Sequence, residues 1–238
     1  MSGLTRRGRL LALACAALVQ CAAHAQGRVP AFPVTAPIEI TVPALAGSSA
    51  DITARVFADS LAKRLAVVVT IANRPGAGGA VGYRHVAAQK PDGRSLIWMS
   101  ASIATAHHMG LLALDMSAFE TVSRVLVESP LVAVRSDSPW RTLRELITDA
   151  AARPDEITVA HSGRGSDTHF SSLALFRIAK VELWDVPLPR SHVVSLLLGG
   201  HVDVIVDLPA SLASPARAGS VRLLASLSPL RDSGNPDV

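Results

Sequence analysis

The chain is poor in cysteine, in aromatic residues and in long apolar runs. Of its 238 residues only two are cysteines, Cys15 and Cys21, and only 4% are aromatic. Both cysteines lie in the first 25 residues, so the rest of the sequence has no thiol for nucleophilic catalysis, for a Cys-based zinc site or for an iron–sulfur cluster. No later stretch has eighteen consecutive apolar residues, so the sequence predicts no membrane-spanning helix there.

The charge balance gives no sign of a nucleic-acid-binding surface. Lysine and arginine number 23, against 19 aspartates and glutamates. Three of the arginines, Arg6, Arg7 and Arg9, lie near the N-terminus, and without them the two signs balance to within one charge. No basic stripe with interleaved aromatic residues follows, so we predict no nucleic-acid partner.

The first 25 residues have the layout of a secretory signal peptide. The three arginines precede an apolar run over residues 10–19, and residues 23–25 read Ala-His-Ala, a small-residue cleavage site. The apolar run is about half as long as a membrane-spanning helix requires. We therefore predict export to the periplasm with cleavage after Ala25, by general secretion or by the twin-arginine route, and a mature chain that is not membrane-embedded.

The chain then alternates short β-branched runs with helical patterns. Strands are predicted at 38–42, 67–71 and 95–99, with a helix in each interval. This alternation is typical of a parallel sheet that is covered by helices.

A second series of the same kind follows an irregular stretch. It is predicted to contain strands at 122–127, 131–134, 157–160 and 202–206, a short strand near 186, and helices at 142–152, 170–178 and 193–198. Two such series predict an α/β fold with two lobes, as in periplasmic binding proteins, in which each lobe is a helix-covered, mostly parallel sheet. We assign 1–25 to the signal peptide, 26–121 to lobe 1 and 122–220 to lobe 2, with 221–238 returning or crossing over to an incomplete lobe 1.

The first of three candidate ligand loops covers residues 43–51. It lies between a strand end and a helix start, where open α/β sheets bind ligands. Gly47 allows a tight turn, and Ser48, Ser49 and the free N–H groups of the helix can donate to an anionic oxygen. The alternative is that Ser49 or Asp51 only caps the helix.

The second candidate loop covers residues 161–169, which read His-Ser-Gly-Arg-Gly-Ser-Asp-Thr-His. Its glycines, hydroxyls, arginine and histidines are groups that bind anions. The candidate residues are Ser162, Gly163, Gly165, Ser166, Thr168 and His169. A solvated, capped loop explains the same residues equally well.

The third candidate is Asp207, at the end of the predicted strand 202–206. A ligand could meet its carboxylate there. A carboxylate that is exposed or caps a helix is the more common situation at a turn.

Catalytic and metal-binding alternatives lack the patterns they require. Ser166 near His169, with an aspartate from the third loop, supplies the residue types of a hydrolase triad, but no Gly-x-Ser-x-Gly elbow occurs. His107 and His108 are adjacent, which puts their rings on different faces of a helix. We predict no enzyme activity, no metal and no cofactor.

Motifs along most of the chain resemble those of one receptor family. They are Pro43 with Gly47 and Asp51, residues 73–79 with Gly82, residues 91–93, the Gly-x-Gly-Ser-x-x-His run at 163–169, Val186-Pro187, residues 198–203, Asp207-x-Pro209 and residues 236–238. No single motif is decisive. Their common order, from about Pro37 to Val238, resembles the substrate-binding component of tripartite tricarboxylate transporters, the Bug-type periplasmic receptors.

The resemblance implies a Venus-flytrap receptor that closes on a small carboxylate. The loops at 43–51 and 161–169 are then expected to reach into the cleft from opposite lobes, with Ser100, Ser102 and Asp207 as further wall. Asp51 would repel a carboxylate, so it either orders its own loop or meets the ammonium group of an amino acid. The implied ligand is a di- or tricarboxylate, an aromatic acid or an amino acid, and the implied partner is a membrane permease of the tripartite tricarboxylate type.

The sequence also departs from the family pattern. Ala44, Leu45 and Ala46 stand where family members carry an aromatic residue, prolines and glycines. The family also continues for several dozen residues past the Pro-Asp-Val that ends this sequence. A truncated or degenerate paralogue with weak or no binding is therefore the second hypothesis, and a secreted serine hydrolase is the third.

Overall fold

The computed structural model describes residues 36–186, 193–229 and 231. These residues form two β-sheets with helices packed against them. The predicted signal peptide and its cleavage site lie outside the described residues. Within the described part of the chain, no helix is long and apolar enough to cross a membrane.

The first sheet is parallel and is built from strands that are neighbours in sequence. Its strands are β1 (Ile38–Val42), β2 (Val69–Asn73) and β3 (Ser95–Ile97), in the order β2-β1-β3. Its helices are α1 (Ser49–Leu65), α2 (Ala80–Ala87) and α3 (Ser102–His108). We call this sheet with its helices the first lobe. The sequence predicts all of these elements except α3.

Helix α1 covers the first sheet with an apolar stripe. Buried Ala58 and partly buried Leu61 and Leu65 pack in one cluster with Ile38 and Ile40 of β1. Residues spaced three and four apart lie on one face of a helix. The same apolar residues that predict the helix therefore also pack it against the sheet.

The second sheet is mixed. Its strands are β4 (Leu131–Arg135), β5 (Thr158–His161), β6 (Trp184–Asp185), β7 (Val204–Asp207) and β8 (Val221–Ser226), in the order β6-β5-β7-β4-β8. Strand β5 is parallel to β6 and β7, whereas β4 is antiparallel to β7 and β8. Its helices are α4 (Leu143–Ala152), α5 (Asp167–Ala179), α6 (Val193–Leu198) and α7 (Pro209–Arg217). We call this sheet with its helices the second lobe, and the predicted two-lobed α/β fold is confirmed.

Strand β4 contributes to the core on both faces of the second sheet. Val132 and Val134 belong to a cluster that includes Leu146 of α4. Leu131 and Ala133 belong to a second cluster that includes residues of α6 and α7. A strand that is buried on both faces needs apolar residues at successive positions, which is why 131–134 reads as an unbroken apolar run.

The strand predicted at 122–127 is wrong. Residues 121–130 form no helix or strand, and Val122 and Val127 are 81% and 76% exposed. The β-branched residues favour extended backbone, but a strand also needs a neighbouring strand to pair with. Among the described residues, none pairs with this segment.

The predicted return of 221–238 to lobe 1 does not occur over residues 221–226. These residues form β8, whose register pairs Val221 with Arg135 and Ser226 with Leu131. The strand therefore lies at the edge of the second sheet. Sequence periodicity identifies strands but does not say which sheet they join.

Among the described residues, two hydrogen bonds join the first lobe to later parts of the chain. Thr105 of α3 donates through its hydroxyl to the carbonyl of Gly165 at 2.9 Å, and Ser49 donates to Glu128, in the segment before β4, at 2.6 Å. Gly165 has φ +81°, and a Cβ there would lie 2.8 Å from the sulfur of Met109. A side chain at residue 165 would therefore be strained by the positive φ and would require the Met109 side chain to move.

We predict that Gly82→Ala destabilises the protein. A Cβ at Gly82 would lie 2.9 Å from the Cβ of Pro43 and 3.2 Å from the carbonyl oxygen of Arg74, so α2 would have to move away from the loop after β1. We expect the free energy of unfolding in urea to fall by about 1–3 kcal/mol. Alanine is otherwise the better helix former by about 1 kcal/mol, so helix propensity alone predicts the opposite sign.

The matched control is Val81→Ala, at an exposed position of the same helix. It should change the stability by less than about 1 kcal/mol. A Gly82→Ala chain that is as stable as the parent would show that the Pro43 loop moves without cost.

Candidate functional site

A cavity of about 280 Å³ lies where the two lobes meet, next to the carboxyl ends of the parallel strands. The first lobe lines it with residues 43–50, 75, 78, 79, 100 and 102, and the second with residues 162, 164, 166–168, 193–195, 207, 208 and 211. Open α/β sheets bind their ligands at this edge. The volume suits a small molecule of a few carbon atoms.

Helix α1 begins at the cavity from the first lobe. Ser48 caps it, since its hydroxyl donates to the carbonyl of Leu45 at 2.7 Å and accepts from the N–H of Asp51 at 3.4 Å. The N–H groups of Ser49 and Ala50 then have no acceptor among the described residues, and both residues line the cavity. Free N–H groups at a helix start attract anions.

Helix α5 begins at the same cavity from the second lobe. Ser166 caps it, and its hydroxyl accepts from the N–H of His169 at 3.1 Å. The N–H groups of Asp167 and Thr168 have no acceptor within the described ranges, and both residues line the cavity. The two helix starts therefore offer four main-chain donors to one space.

Asp51 holds the first loop in place from behind the cavity. Its side chain is 4% exposed. One carboxylate oxygen accepts from the N–H of Gly47 at 2.8 Å and from the side chain of Arg55 at 3.0 Å. The other oxygen accepts from the side-chain amide of Asn73 at 2.9 Å. Burial acts to raise the pKa of Asp51, but the hydrogen bonds from Arg55, Gly47 and Asn73 outweigh it, so the pKa lies below its ordinary value. The ionised carboxylate thus joins β2, α1 and the loop between β1 and α1.

The second loop is ordered by its own hydroxyl groups. The hydroxyl of Thr168 accepts from the N–H of Ser162 at 3.0 Å and lies 3.1 Å from the hydroxyl of Ser166. Ser162 in turn donates to Asp207 at 3.2 Å. Three of the predicted donors are therefore linked to one another at the cavity wall.

Two carboxyl groups line the second-lobe side of the cavity. Burial raises the pKa of Asp207, against the opposing effect of hydrogen bonds from Leu208, Ser211 and Ser162. Burial also raises the pKa of Asp167. In both groups, burial disfavours the charged form.

Ser100 and Ser102 line the cavity beside a buried tyrosine. The hydroxyl of Ser100 donates to that of Ser102 at 3.0 Å, and the hydroxyl of Tyr83 lies 2.8 Å from the same Ser102 oxygen. Burial raises the pKa of Tyr83, which keeps the phenol protonated. The group provides a short row of neutral hydroxyls at the end of β3.

The structure brings most of the predicted site residues together. Those that line the cavity are Gly47, Ser48, Ser49, Ser100, Ser102, Ser162, Ser166, Thr168 and Asp207. Those that lie outside its lining are Asp51, Gly163, Gly165 and His169. The last three shape the loop behind the cavity: Gly163 turns it with φ +100°, and Gly165 donates its N–H to the His169 ring at 3.2 Å.

Some cavity residues have no place in the sequence-based prediction. Ser195 and Ser211 lie in the first turns of α6 and α7. Pro209 at the first position of α7 is a helix-start signal that could have revealed Ser211. Pro43 and residues 44–46 form an apolar wall, and they lie within the predicted ligand loop 43–51.

The geometry of Ser166 and His169 is that of a helix cap. The main-chain N–H of His169, not its ring, contacts the Ser166 hydroxyl, and ring atom Nδ1 accepts from Gly165. A hydrolase requires the ring itself to accept the proton of the serine. The hydroxyl of Ser166 is therefore not activated as a nucleophile in this arrangement.

Comparison with known proteins gives consistent matches. A family model described as a tripartite tricarboxylate transporter family receptor matches residues 53–238. A UPF0065 protein of Bordetella bronchiseptica is 32% identical over 206 residues, which cover 85% of this chain and 61% of that protein. The chain thus spans about three fifths of the length of this relative.

Solved structures also match. MatC from Rhodopseudomonas palustris, solved with bound malate, has a TM-score of 0.74 at 31% identity, over 87% of this chain and 71% of that one. A second R. palustris protein, solved with adipate, has a TM-score of 0.73 at 25% identity, over 84% of this chain and 68% of that one.

We predict that the contribution of Asp51 to stability depends on pH. Asp51→Asn removes a charge that Arg55, Gly47 and Asn73 stabilise, so the free energy of unfolding should fall by about 1–3 kcal/mol at neutral pH. Because the folded pKa is depressed, the carboxylate stabilises the fold above the unfolded value of about 3.9, and this contribution is lost as the pH falls through the folded value. The gap between variant and parent should therefore narrow below about pH 4 in urea unfolding curves.

Asp59→Asn, at an exposed aspartate of the same helix, is the control and should show little difference at any pH. If the gap for Asp51→Asn stays constant down to about pH 2, the carboxylate does not act through its charge.

Proposed function

The chain belongs to the tripartite tricarboxylate transporter receptor family. We propose that it is a periplasmic solute-binding protein that captures a small carboxylate. The proposed partner is a membrane permease of the tripartite tricarboxylate type. The proposed location rests on the signal-peptide pattern of residues 1–25 and on the family. Binding and release, not catalysis, are the proposed activity.

The meeting of two helix starts at one cavity carries this proposal. The N–H groups of Ser49 and Ala50 from one lobe, and of Asp167 and Thr168 from the other, are the free donors there. A carboxylate has two oxygens and can accept from both lobes at once, which favours the closed arrangement of the lobes. Each helix start also adds the positive end of its dipole.

The cavity has few cationic side chains. Among the described lining residues, Arg164 is the single lysine or arginine, and its side chain is 70% exposed. The walls formed by residues 43–46 and by Val193 and Val194 are apolar. We propose that the carboxylate is held by oriented neutral donors and that a short carbon skeleton lies against the apolar wall.

The solved relatives support the ligand class. Malate is bound in one and adipate in the other, and both compounds are small dicarboxylates. We therefore propose dicarboxylates as the first compounds to test, followed by tricarboxylates, aromatic acids and amino acids. A ligand present at about 100 times its dissociation constant adds about 2.7 kcal/mol of stability, so a thermal-shift screen of the full chain can find it.

A receptor with weak or no binding is the second candidate, and one observation favours it. The hydroxyls of Ser48 and Ser49 donate to Leu45 and Glu128 inside the protein. They are therefore not free to donate to a ligand, and the first lobe contributes mainly its main-chain N–H groups.

We predict that charge at residue 166 controls binding. Aspartate and asparagine both cap helices as well as serine does, so Ser166→Asp and Ser166→Asn should both keep α5 intact. Only the aspartate places a negative charge beside the bound carboxylate. With malate as the probe in calorimetry, Ser166→Asp should bind at least about tenfold more weakly than Ser166→Asn, which corresponds to about 1.4 kcal/mol.

Equal melting temperatures of the two variants without malate would confirm that the cap is preserved. If the two variants bind malate equally well, the ligand does not sit at the start of α5. If neither the parent nor any variant responds to any acid in the screen, the non-binding candidate is correct.

A further inference from the structure

Two histidines and an aspartate meet behind the loop at 161–169. His161 ends β5, Asp185 ends β6, and His169 lies in the first turn of α5. The Nε2 atom of His161 lies 2.9 Å from a carboxylate oxygen of Asp185, and the centroids of the two imidazole rings lie 4.4 Å apart. One nitrogen from each histidine and one oxygen from the aspartate lie within 4.8 Å of one another. None of the three residues lines the cavity described above.

The buried ring of His161 has one nitrogen to spare. Its side chain is 3% exposed, and the bond to Asp185 uses Nε2. Atom Nδ1 is buried and has no hydrogen-bond partner among the described residues. When Nε2 carries the proton and donates it to Asp185, Nδ1 keeps a lone pair, and the ring of His169 packs against the same imidazole.

We propose that His161 and His169 bind a divalent transition-metal ion of the zinc class, with Asp185 orienting His161. Imidazole nitrogens are preferred ligands of Zn²⁺, Cu²⁺ and Ni²⁺, whereas Ca²⁺ and Mg²⁺ prefer oxygen. A histidine that binds a metal through one nitrogen commonly donates from the other to a carboxylate, which is the arrangement of His161 with Asp185. Water completes the coordination.

The spacing of the rings fits two ligands on one ion. With metal–nitrogen distances of about 2.1 Å, two imidazoles on one ion have ring centroids about 4.5 Å apart at a right angle and about 5.2 Å apart at the tetrahedral angle. The observed 4.4 Å is close to the first value, and the rings have to separate by a little under about 1 Å to reach the second. Ligation by Nε2 of His169 requires the ring proton to move to Nδ1. The hydrogen bond from the N–H of Gly165, at 3.2 Å, is then lost, and the ring has to turn so that the two N–H groups do not face each other.

The ion would tie the second ligand loop at both ends. His161 immediately precedes Ser162, and His169 immediately follows Thr168. A metal held by both histidines therefore fixes the ends of the loop that carries Ser162, Ser166 and Thr168. The site is structural for the loop and independent of which carboxylate the cavity takes.

Titration with Zn²⁺ tests this proposal. The full chain is purified without a histidine tag, and every sample carries Cys15→Ser and Cys21→Ser so that thiols bind no metal. We expect one ion per chain with a dissociation constant of about 10 µM or tighter by calorimetry. His169→Ala and His161→Ala should each weaken binding at least tenfold, and Asp185→Asn by about 10–100-fold, because an orienting carboxylate contributes this much to metal affinity.

The adjacent pair His107 and His108 is the matched control. Their rings also lie close together, with centroids 5.4 Å apart, but no carboxylate supports them in a cluster with a third ligand among the described residues. A His107→Ala/His108→Ala chain should bind Zn²⁺ as tightly as the parent. Loss of binding in that chain would place the metal elsewhere and overturn the proposal.

The decisive variant is His169→Ala, because His169 is half-buried and its removal leaves the core intact. Its melting temperature in EDTA, matched to the parent, shows that it is folded. A folded His169→Ala chain that binds Zn²⁺ as tightly as the parent overturns the proposal, and so does a parent chain that binds no Zn²⁺ up to about 1 mM.

Discussion

The buried carboxylate of Asp51 is the interaction on which the geometry of the cavity depends. It accepts from the loop through Gly47, from the end of β2 through Asn73 and from its own helix through Arg55. A charge in such a place is tolerated only when donors surround it, so the three elements are held in one arrangement. The free N–H groups at the start of α1 point where they do because this carboxylate fixes the loop before them.

The cavity is built mainly from backbone, and side chains support it from behind. Ser48 and Ser166 cap their helices, and Ser49 donates to Glu128. Because these hydroxyls are engaged within the protein, the free donors are main-chain N–H groups. Unlike side chains, these groups cannot rotate away from a ligand. A site of this kind is preorganised, because little conformational entropy is lost when an anion binds.

Much of the fold and part of the site could be predicted from the sequence. The apolar run at 131–134 and the apolar stripe of α1 are patterns of neighbouring residues. Such patterns are sufficient to predict the strand and the helix that they form, and the loops between such elements. The strand predicted at 122–127 is wrong, because a strand needs a neighbouring strand to pair with, and local sequence does not specify that neighbour. The same limit applies to the sheet that β8 joins.

The direction of individual hydroxyls could not be predicted for a similar reason. Ser49 donates to Glu128, which is 79 positions away in sequence. The cluster of His161, His169 and Asp185 likewise joins three elements that only the sheet order brings together. Spacing rules detect metal ligands when they share one helix or one loop, and Asp185 shares neither with the histidines.

The position of β4 has a consequence for the order in which the protein folds. The first sheet is complete once residue 97 has been made, and each connection between strands that follow one another in sequence carries one α-helix. Strand β4, at 131–135, pairs with β7 and β8, and the last of these ends at residue 226. These pairings close long loops, and such loops slow folding. During synthesis, the N-terminal sheet can therefore form early, while β4 cannot pair with both of its neighbours until residue 226 has been made.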